Sequence, residues 1–192
     1  KIPAMMDHSG DTPVRVFESG SILIHLAEKF GAFLPAKCPE RTETLNWLMW
    51  QMGSAPFVGG GFGHFYAYAP EKFEYPINRY AMETKRQLDV LDRRLAEVPY
   101  VAGQTYSIAD MAIWPWYGNL VLGRSYPEAD KFLDVGIYTN LKRWADAIEA
   151  RPAATVIVLR EGDPFEFLLL RRNDTVAFMA GSYVFPGGRV DP

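Results

Sequence analysis

The 192-residue chain contains one cysteine, Cys38, so an internal disulfide is excluded and a reducing compartment is the simplest expectation. It has no apolar run near the roughly 20 residues that a membrane-spanning helix needs. Its 20 lysines and arginines are outnumbered by 23 aspartates and glutamates, and the formal net charge is -3. The chain therefore lacks the basic footprint of a nucleic-acid-binding protein. These absences favour a cytoplasmic protein whose partners are neither membranes nor nucleic acids.

Two further kinds of site are disfavoured by spacing. His8, His25 and His64 lie far apart, without the paired spacing of metal ligands, so we predict no metal site. The segment "VGGGFGHFY" lacks the Gly-Lys-Ser/Thr ending of a phosphate loop and follows no predicted strand. We expect it to be a break between helices, in which glycines permit a close backbone approach.

What the chain does contain is a composition for a packed core, with 48% hydrophobic and 14% aromatic residues. The patterns predict a mainly α (α+β) fold. Two short strands flank a turn at residues 8–13, and a helix that Gly31 closes follows them. Apolar residues at helical spacing then predict a helix from Arg41, a long helix ending near Val98, a buried helix within 106–123 and a last helix before Pro152. Beyond about Ala153 the chain becomes β-rich.

The start of the predicted buried helix carries a capping box in its aspartate form, "SIAD". The Ser107 hydroxyl is expected to cap the N–H of Asp110, whose carboxylate returns to the N–H of Ser107. We therefore predict a structural role for Asp110 and not that of a catalytic acid.

The first helix begins with a carboxylate and a hydroxyl side by side, Glu18 and Ser19. Serine is a favoured helix cap, so one interpretation is purely structural. The other is a ligand site: a helix start attracts anions, and Glu18 adds the opposite charge beside it. Such a pair suits a group with both a carboxylate and an ammonium, such as the end of an amino acid.

Two more positions allow a structural and a functional interpretation. Pro3 is either an ordinary trans proline of an edge strand or a cis proline that turns the backbone N–H and C=O of Ile2 toward a ligand. Arg79 is either an exposed side chain or a bidentate partner for a ligand carboxylate. Pro76, three residues earlier, is expected to begin the long helix or to kink it.

Three motifs together resemble the glutathione transferase superfamily, and within it the bacterial nu-class disulfide-bond oxidoreductases, over residues 1–152. They are "KIPAM", "FESGSIL", and "GSAPFVGGGFGHFYAYAPEKFEY" with "SIADMAIWPW". The resemblance implies a partial thioredoxin-like β-β-α unit in residues 1–34. It also implies the all-helical transferase domain in residues 40–152.

The resemblance also implies the ligand. The backbone of Ile2 would pair with the cysteinyl part of glutathione, and Pro3 would set that geometry. Glu18 and Ser19 would hold the γ-glutamyl end, and Arg79 would reach a second glutathione. Glutathione would act as co-substrate, its thiolate attacking a small electrophile or exchanging with a disulfide. The complete protein would be a homodimer.

The catalytic residue is not assigned by this resemblance. The group that favours the glutathione thiolate is expected in a β-α-β unit that would precede Lys1. We therefore expect the 192 residues by themselves to have little activity. A glutathione-binding module without catalysis stays open as an alternative.

The remaining segment, residues 154–192, resembles the start of a Nudix hydrolase. Gly188 would be the first glycine of the Nudix box. That box continues with glutamates that bind Mg²⁺, and no glutamate cluster follows Gly188. A Nudix diphosphatase is thus an alternative that lacks its catalytic helix.

Overall fold

The computed structural model describes residues 3–151, together with 159–160, 166–167, 170–171 and 183–184. The predicted cis bond between Ile2 and Pro3 involves a residue outside the described ones. Gly188 and most of the segment that resembles a Nudix hydrolase also lie outside them.

The chain opens with the predicted β-β-α unit. Strands β1 (Ala4–Asp7) and β2 (Val14–Phe17) pair antiparallel, with Ala4 opposite Phe17. Helix α1 (Ser19–Phe30) follows directly and ends at Gly31, whose φ of 63° is the left-handed conformation that glycine adopts without strain. This part of the sequence prediction is confirmed.

A carboxylate on β1 holds the hairpin against α1. Both oxygens of Asp7 accept hydrogen bonds from Lys29 Nζ at 2.7 Å, and Asp7 Oδ2 lies 2.7 Å from His25 Nε2. The backbone N–H of Ser9 donates to Asp7 Oδ1 at 3.0 Å. Lys29, with Ser9 and His25, holds the pKa of the Asp7 carboxyl far below its usual range. The hairpin and the helix therefore form one unit.

Helix α2 (Glu40–Pro56) continues without a break into a wider helical segment, the π segment (Phe57–Tyr68). The N–H of Ala69 bonds the carbonyl of His64 five residues earlier, at 2.7 Å. The prediction of a break here is wrong. Glycine costs about 1 kcal/mol in a helix interior, and the burial of large aromatic rings against the segment outweighs that cost.

The close backbone approach expected of these glycines is present. Built Cβ atoms would lie within 2.5 Å of neighbouring ring atoms at the following glycine–ring pairs: Gly59 with Trp116, Gly61 with Tyr80, and Gly63 with Tyr126. A side chain at any of the three would displace an aromatic ring. The glycines thus bring helices from distant parts of the chain against the π segment.

Helix α3 (Glu74–Glu97) is the predicted long helix. Pro76 lies in its first turn, where a missing N–H costs little, so the helix starts regularly before Arg79. The predicted buried helix is α4 (Ile108–Ile113), extended by a π turn (Trp114–Gly118) and by α5 (Asn119–Val121). After α6 (Ala129–Phe132) and a 3₁₀ turn (Val135–Ile137), the predicted last helix is α7 (Thr139–Glu149).

The predicted capping box is present at the start of α4 and extends further than predicted. Asp110 Oδ2 accepts from the N–H of Ser107 at 3.0 Å, while its Oδ1 accepts from the N–H of Val101 at 3.0 Å and from Trp144 Nε1 at 2.9 Å. Asp110 is fully buried, and this burial raises the pKa of its carboxyl. The N–H of Ile108 bonds the carbonyl of Phe33, which ties α4 to the chain that follows α1.

Beyond residue 152 the described residues form two antiparallel strand pairs. They are β3 (Leu159–Arg160) with β4 (Glu166–Phe167), and β5 (Leu170–Arg171) with β6 (Tyr183–Val184). The described residues of this segment are thus in β-strands, as predicted. In the described part of the chain, every helix is too short or too polar to cross a membrane.

The Asp110 network predicts a large stability effect. Asp110→Ala leaves three buried N–H donors, on Val101, Ser107 and Trp144, without their acceptor, so the free energy of unfolding should fall by about 3 kcal/mol or more. Asp146→Ala is the matched control, because the Asp146 carboxylate is exposed and makes a long ion pair with Lys142, at 3.6 Å. That change should cost less than about 1 kcal/mol in the same urea titration. Equal effects would show that the Asp110 hydrogen bonds are not stabilising.

The Asp7 ion pairs predict a pH dependence. Since the pKa of Asp7 is lowered in the folded state, its stabilisation is present above the ordinary value of about 3.9 and is lost as the pH falls. The native protein should therefore be more stable than Asp7→Asn at pH 6, and this difference should shrink between about pH 4 and pH 2. Asp11→Asn, in the turn that follows β1, is the control, and its stability should equal that of the native protein across this pH range. A gap between native and Asp7→Asn that is constant with pH would contradict the assignment.

Candidate functional site

The pairing of the hairpin brings two of the predicted site residues to the same end. Ala4 lies opposite Phe17, so Pro3 and Glu18, their outer neighbours, both lie where the strands meet the start of α1. Both side chains are exposed, as is that of Ser19. We call the surface formed by Pro3, Glu18 and Ser19 the hairpin end.

Glu18 is held in a strained conformation. Its φ of 68° and ψ of 129° lie in a region that residues with a Cβ rarely adopt, at a cost of order 1–3 kcal/mol. Glu18 makes no side-chain hydrogen bond to cap the helix that follows. Strain of this kind persists where the surrounding structure imposes it, and such positions cluster at ligand sites.

The start of α1 has no side-chain cap, so the interpretation of Ser19 as a helix cap is wrong. The N-cap position is Glu18, and Ser19 is the first helical residue. Within the described part of the chain, the Ser19 hydroxyl has a single partner, the Met52 Sδ at 3.7 Å. A thioether is a weak acceptor. The hydroxyl and the first N–H groups of α1 therefore remain available to an anion, beside the Glu18 carboxylate.

Arg79 lies in the second turn of α3 and is exposed. In the described residues it makes no hydrogen bond or ion pair, although with Arg86, the larger influence, it lowers the pKa of Glu83. The next residue, Tyr80, packs against Phe57, with ring centroids 6.4 Å apart. Phe57 follows directly on α2, the helix whose Met52 touches Ser19. The structure thus places this turn of α3 beside the π segment, and no described contact joins Arg79 to the hairpin end.

Two site residues were missed by the sequence analysis, Gly20 and Met52. A Cβ on Gly20 would lie 3.0 Å from Met52 Sδ, so the first turn of α1 rests directly on this side chain. In the sequence, Met52 is one of several apolar residues on a helix face, and nothing distinguishes it from the others. No group of three or more histidine, cysteine, aspartate or glutamate side chains suited to a metal ion occurs among the described residues.

Comparison with known proteins identifies the class. A family model described as the C-terminal domain of glutathione S-transferase matches residues 75–147. The chain is 58% identical to the disulfide-bond oxidoreductase YghU of Escherichia coli, over 93% of this chain and 62% of that protein. It is 42% identical to the disulfide-bond oxidoreductase YfcG of the same bacterium, over 83% of this chain and 72% of that protein.

A solved structure that is similar to this chain is of the same class as these relatives. The glutathione transferase YghU of Streptococcus pneumoniae, crystallised with glutathione, is 64% identical and superposes with a TM-score of 0.78, over 79% of this chain and 58% of that one. The chain therefore belongs to the glutathione transferase family. Within it, the chain is similar to the bacterial disulfide-bond oxidoreductases. It spans about three fifths of the length of the Escherichia coli YghU protein.

The comparisons give no support to the resemblance to a Nudix hydrolase. The alignment with the Escherichia coli YghU protein takes in 93% of this chain, so it extends past residue 152 into the segment assigned to a Nudix fragment. None of the relatives named above is a Nudix enzyme. The boundary near Ala153 stays a prediction.

The strained backbone of Glu18 predicts an unusual order of stability. A protein is normally more stable with alanine than with glycine in an ordered segment. At a φ of 68°, however, only glycine avoids a steric clash, because it has no Cβ. The protein with Glu18→Gly should therefore be more stable than that with Glu18→Ala by about 1 kcal/mol in urea unfolding. At Glu28, inside α1, the same two substitutions should show the ordinary order, alanine above glycine. The ordinary order at both positions would contradict the positive φ.

Proposed function

We propose that this chain forms the glutathione-binding part of a disulfide-bond oxidoreductase that uses glutathione to reduce disulfides or to transfer thiols. The observation that carries the proposal is the uncapped start of α1, where the Ser19 hydroxyl and the Glu18 carboxylate are exposed side by side. Membership of the glutathione transferase family supports the same ligand.

The γ-glutamyl end of glutathione carries one carboxylate and one ammonium. Its carboxylate would bind the Ser19 hydroxyl and the first N–H groups of α1, where the helix dipole favours negative charge. Its ammonium would pair with the Glu18 carboxylate. Since hydrogen bonds to charged groups are roughly twice as strong as neutral ones, the ligand would readily replace the weak contact of Ser19 with Met52.

The other assigned residues complete the proposed site. The backbone of Ile2 would pair with the cysteinyl part of glutathione, in the geometry that Pro3 sets. Arg79 would bind a carboxylate of a second glutathione, since its guanidinium has no hydrogen-bonded partner in the described residues and fits carboxylates in a bidentate manner. A site for two glutathione molecules would suit glutathione disulfide, which consists of two glutathione units joined by a disulfide bond.

The proposed reaction is thiol–disulfide exchange. The glutathione thiolate attacks one sulfur of a disulfide, a mixed disulfide forms, and the other sulfur leaves as a thiolate. An ordinary thiol has a pKa of about 8.5, so the reaction needs a group that favours the thiolate at neutral pH. We assign no such group within these 192 residues. A small electrophile is the alternative substrate, and glutathione binding without catalysis is the alternative function.

Two further properties belong to the proposal. We infer a homodimer, in which the side chains of Tyr75 and Met82 on one side of α3, 82% and 62% exposed, would be covered by the partner. We also infer a cytoplasmic location, because the single cysteine suits a reducing compartment.

Calorimetric titration with glutathione tests the assignment of Ser19. Ser19→Ala removes a hydrogen bond to a charged group, so binding should weaken by about 1–3 kcal/mol, or roughly 5- to 150-fold. Thr12→Ala is the matched control, because it removes an exposed hydroxyl at the opposite end of the same hairpin. It should leave the affinity unchanged. Equal affinities of native protein and Ser19→Ala would overturn the proposed γ-glutamyl site.

A further inference from the structure

Met52, on α2, contacts the start of α1 directly. Its Sδ is 3.7 Å from the Ser19 hydroxyl and would be 3.0 Å from a Cβ at Gly20. Gly20 is buried and helical, and its φ is not in the left-handed region, so the constraint at this position is the space beside Met52, whose side chain would have to shift by a few tenths of an ångström to admit a Cβ. The side chain from α2 thus forms the surface on which the first turn of α1 rests.

Met52 is itself held by the core. It packs with a cluster contributed by α1, α2 and α4, whose buried members are Ala27, Leu48, Ile108 and Ala112. Because protein cores are close-packed, a side chain anchored in one transmits its position to whatever rests on it. The position of Ser19 and of the first N–H groups of α1 therefore depends on α2.

We propose that Met52 is a positioning residue for glutathione, acting through Ser19 and Gly20. This proposal rests on the proposed function of the hairpin end. Without ligand, the thioether holds the Ser19 hydroxyl through a weak contact that a carboxylate displaces at little cost. With ligand, the Met52 side chain keeps Gly20 and Ser19 in the position from which the Ser19 hydroxyl and the first N–H groups of α1 can bind the same carboxylate.

The test is a double-mutant cycle read by calorimetric titration of the protein with glutathione. Met52→Ala removes the support, and the affinity should fall about 10-fold. Residues in contact are coupled, by about 2-fold to more than 100-fold in equilibrium terms, so the same change made on a Ser19→Ala background should cost at least about 3-fold less. A residue with a merely structural role would show additive effects in this cycle.

Met49→Ala is the matched control. Met49 lies one turn earlier on α2, is 52% exposed and has no described contact with α1, so the affinity should change less than about 2-fold. If Met52→Ala fails to fold, Gly20→Ala replaces it. Alanine is favoured over glycine in a helix, so a stability effect alone would not weaken binding. The added methyl would displace Met52 or Ser19, and a loss of about 10-fold that is coupled to Ser19 is expected.

The outcomes separate this proposal from the function on which it rests. Binding by the native protein, with unchanged affinity in Met52→Ala or additive effects in the cycle, would overturn the positioning role and leave the γ-glutamyl site intact. A native protein that does not bind glutathione would overturn the proposed function and the role of Met52 with it.

Discussion

The carboxylate of Asp110 is the interaction on which the helical domain depends. It lies fully buried, and its two oxygens satisfy donors from three segments: the start of α4, the loop at Val101 and the indole of Trp144 on α7. Burying a charge is costly unless it is fully hydrogen-bonded, and here burial raises the carboxyl pKa while the donors oppose that shift. The network thus fixes α4, and the hydrogen bond from the N–H of Ile108 to the carbonyl of Phe33 ties α4 to the chain that follows α1.

From this anchored helix the structure extends to the hairpin end by packing. Ile108 of α4 and Leu48 of α2 share a buried cluster with Ala27 of α1, and Met52 carries that packing to the first turn of α1. On the other side of α1, Lys29 and His25 hold the β1 carboxylate. Met52 thus supports the start of α1 at the hairpin end, while the Asp7 contacts hold the opposite end of the hairpin against α1. A residue strained like Glu18 persists only where the surrounding structure is held in place in this way.

The hairpin end combines features that oppose stability and favour a ligand. A helix start without a side-chain cap forgoes about 1 kcal/mol, and the positive φ of Glu18 costs a similar amount or more. Both features leave polar groups pointing to solvent with few internal partners. In the proposed complex, a zwitterionic amino acid end would offer these groups partners, so the arrangement that weakens the free protein would strengthen the binding of the ligand.

The sequence by itself determined the features that depend on neighbouring residues. The strands of the hairpin, Gly31 at the end of α1, the capping box at Ser107 and the periodicity of α3 and α7 all follow from local geometry and hydrogen bonding, and all were predicted. The candidate site residues Glu18 and Ser19 were found because they stand at such a local signal. The local pattern alone left their role open between a cap and a ligand site, and the resemblance to glutathione transferases favoured the ligand site.

Only the tertiary structure decided the rest, because it depends on contacts between segments far apart in the chain. Glycine propensity predicted a break at residues 54–70, yet rings from Tyr80, Trp116 and Tyr126 pack against the π segment and keep it helical. The extension of the Asp110 network to Trp144, and the contact of Met52 with Ser19, join residues more than thirty positions apart. Local propensity contains no information on such pairs. The free energy gained by burial between distant helices is larger than the differences in local propensity.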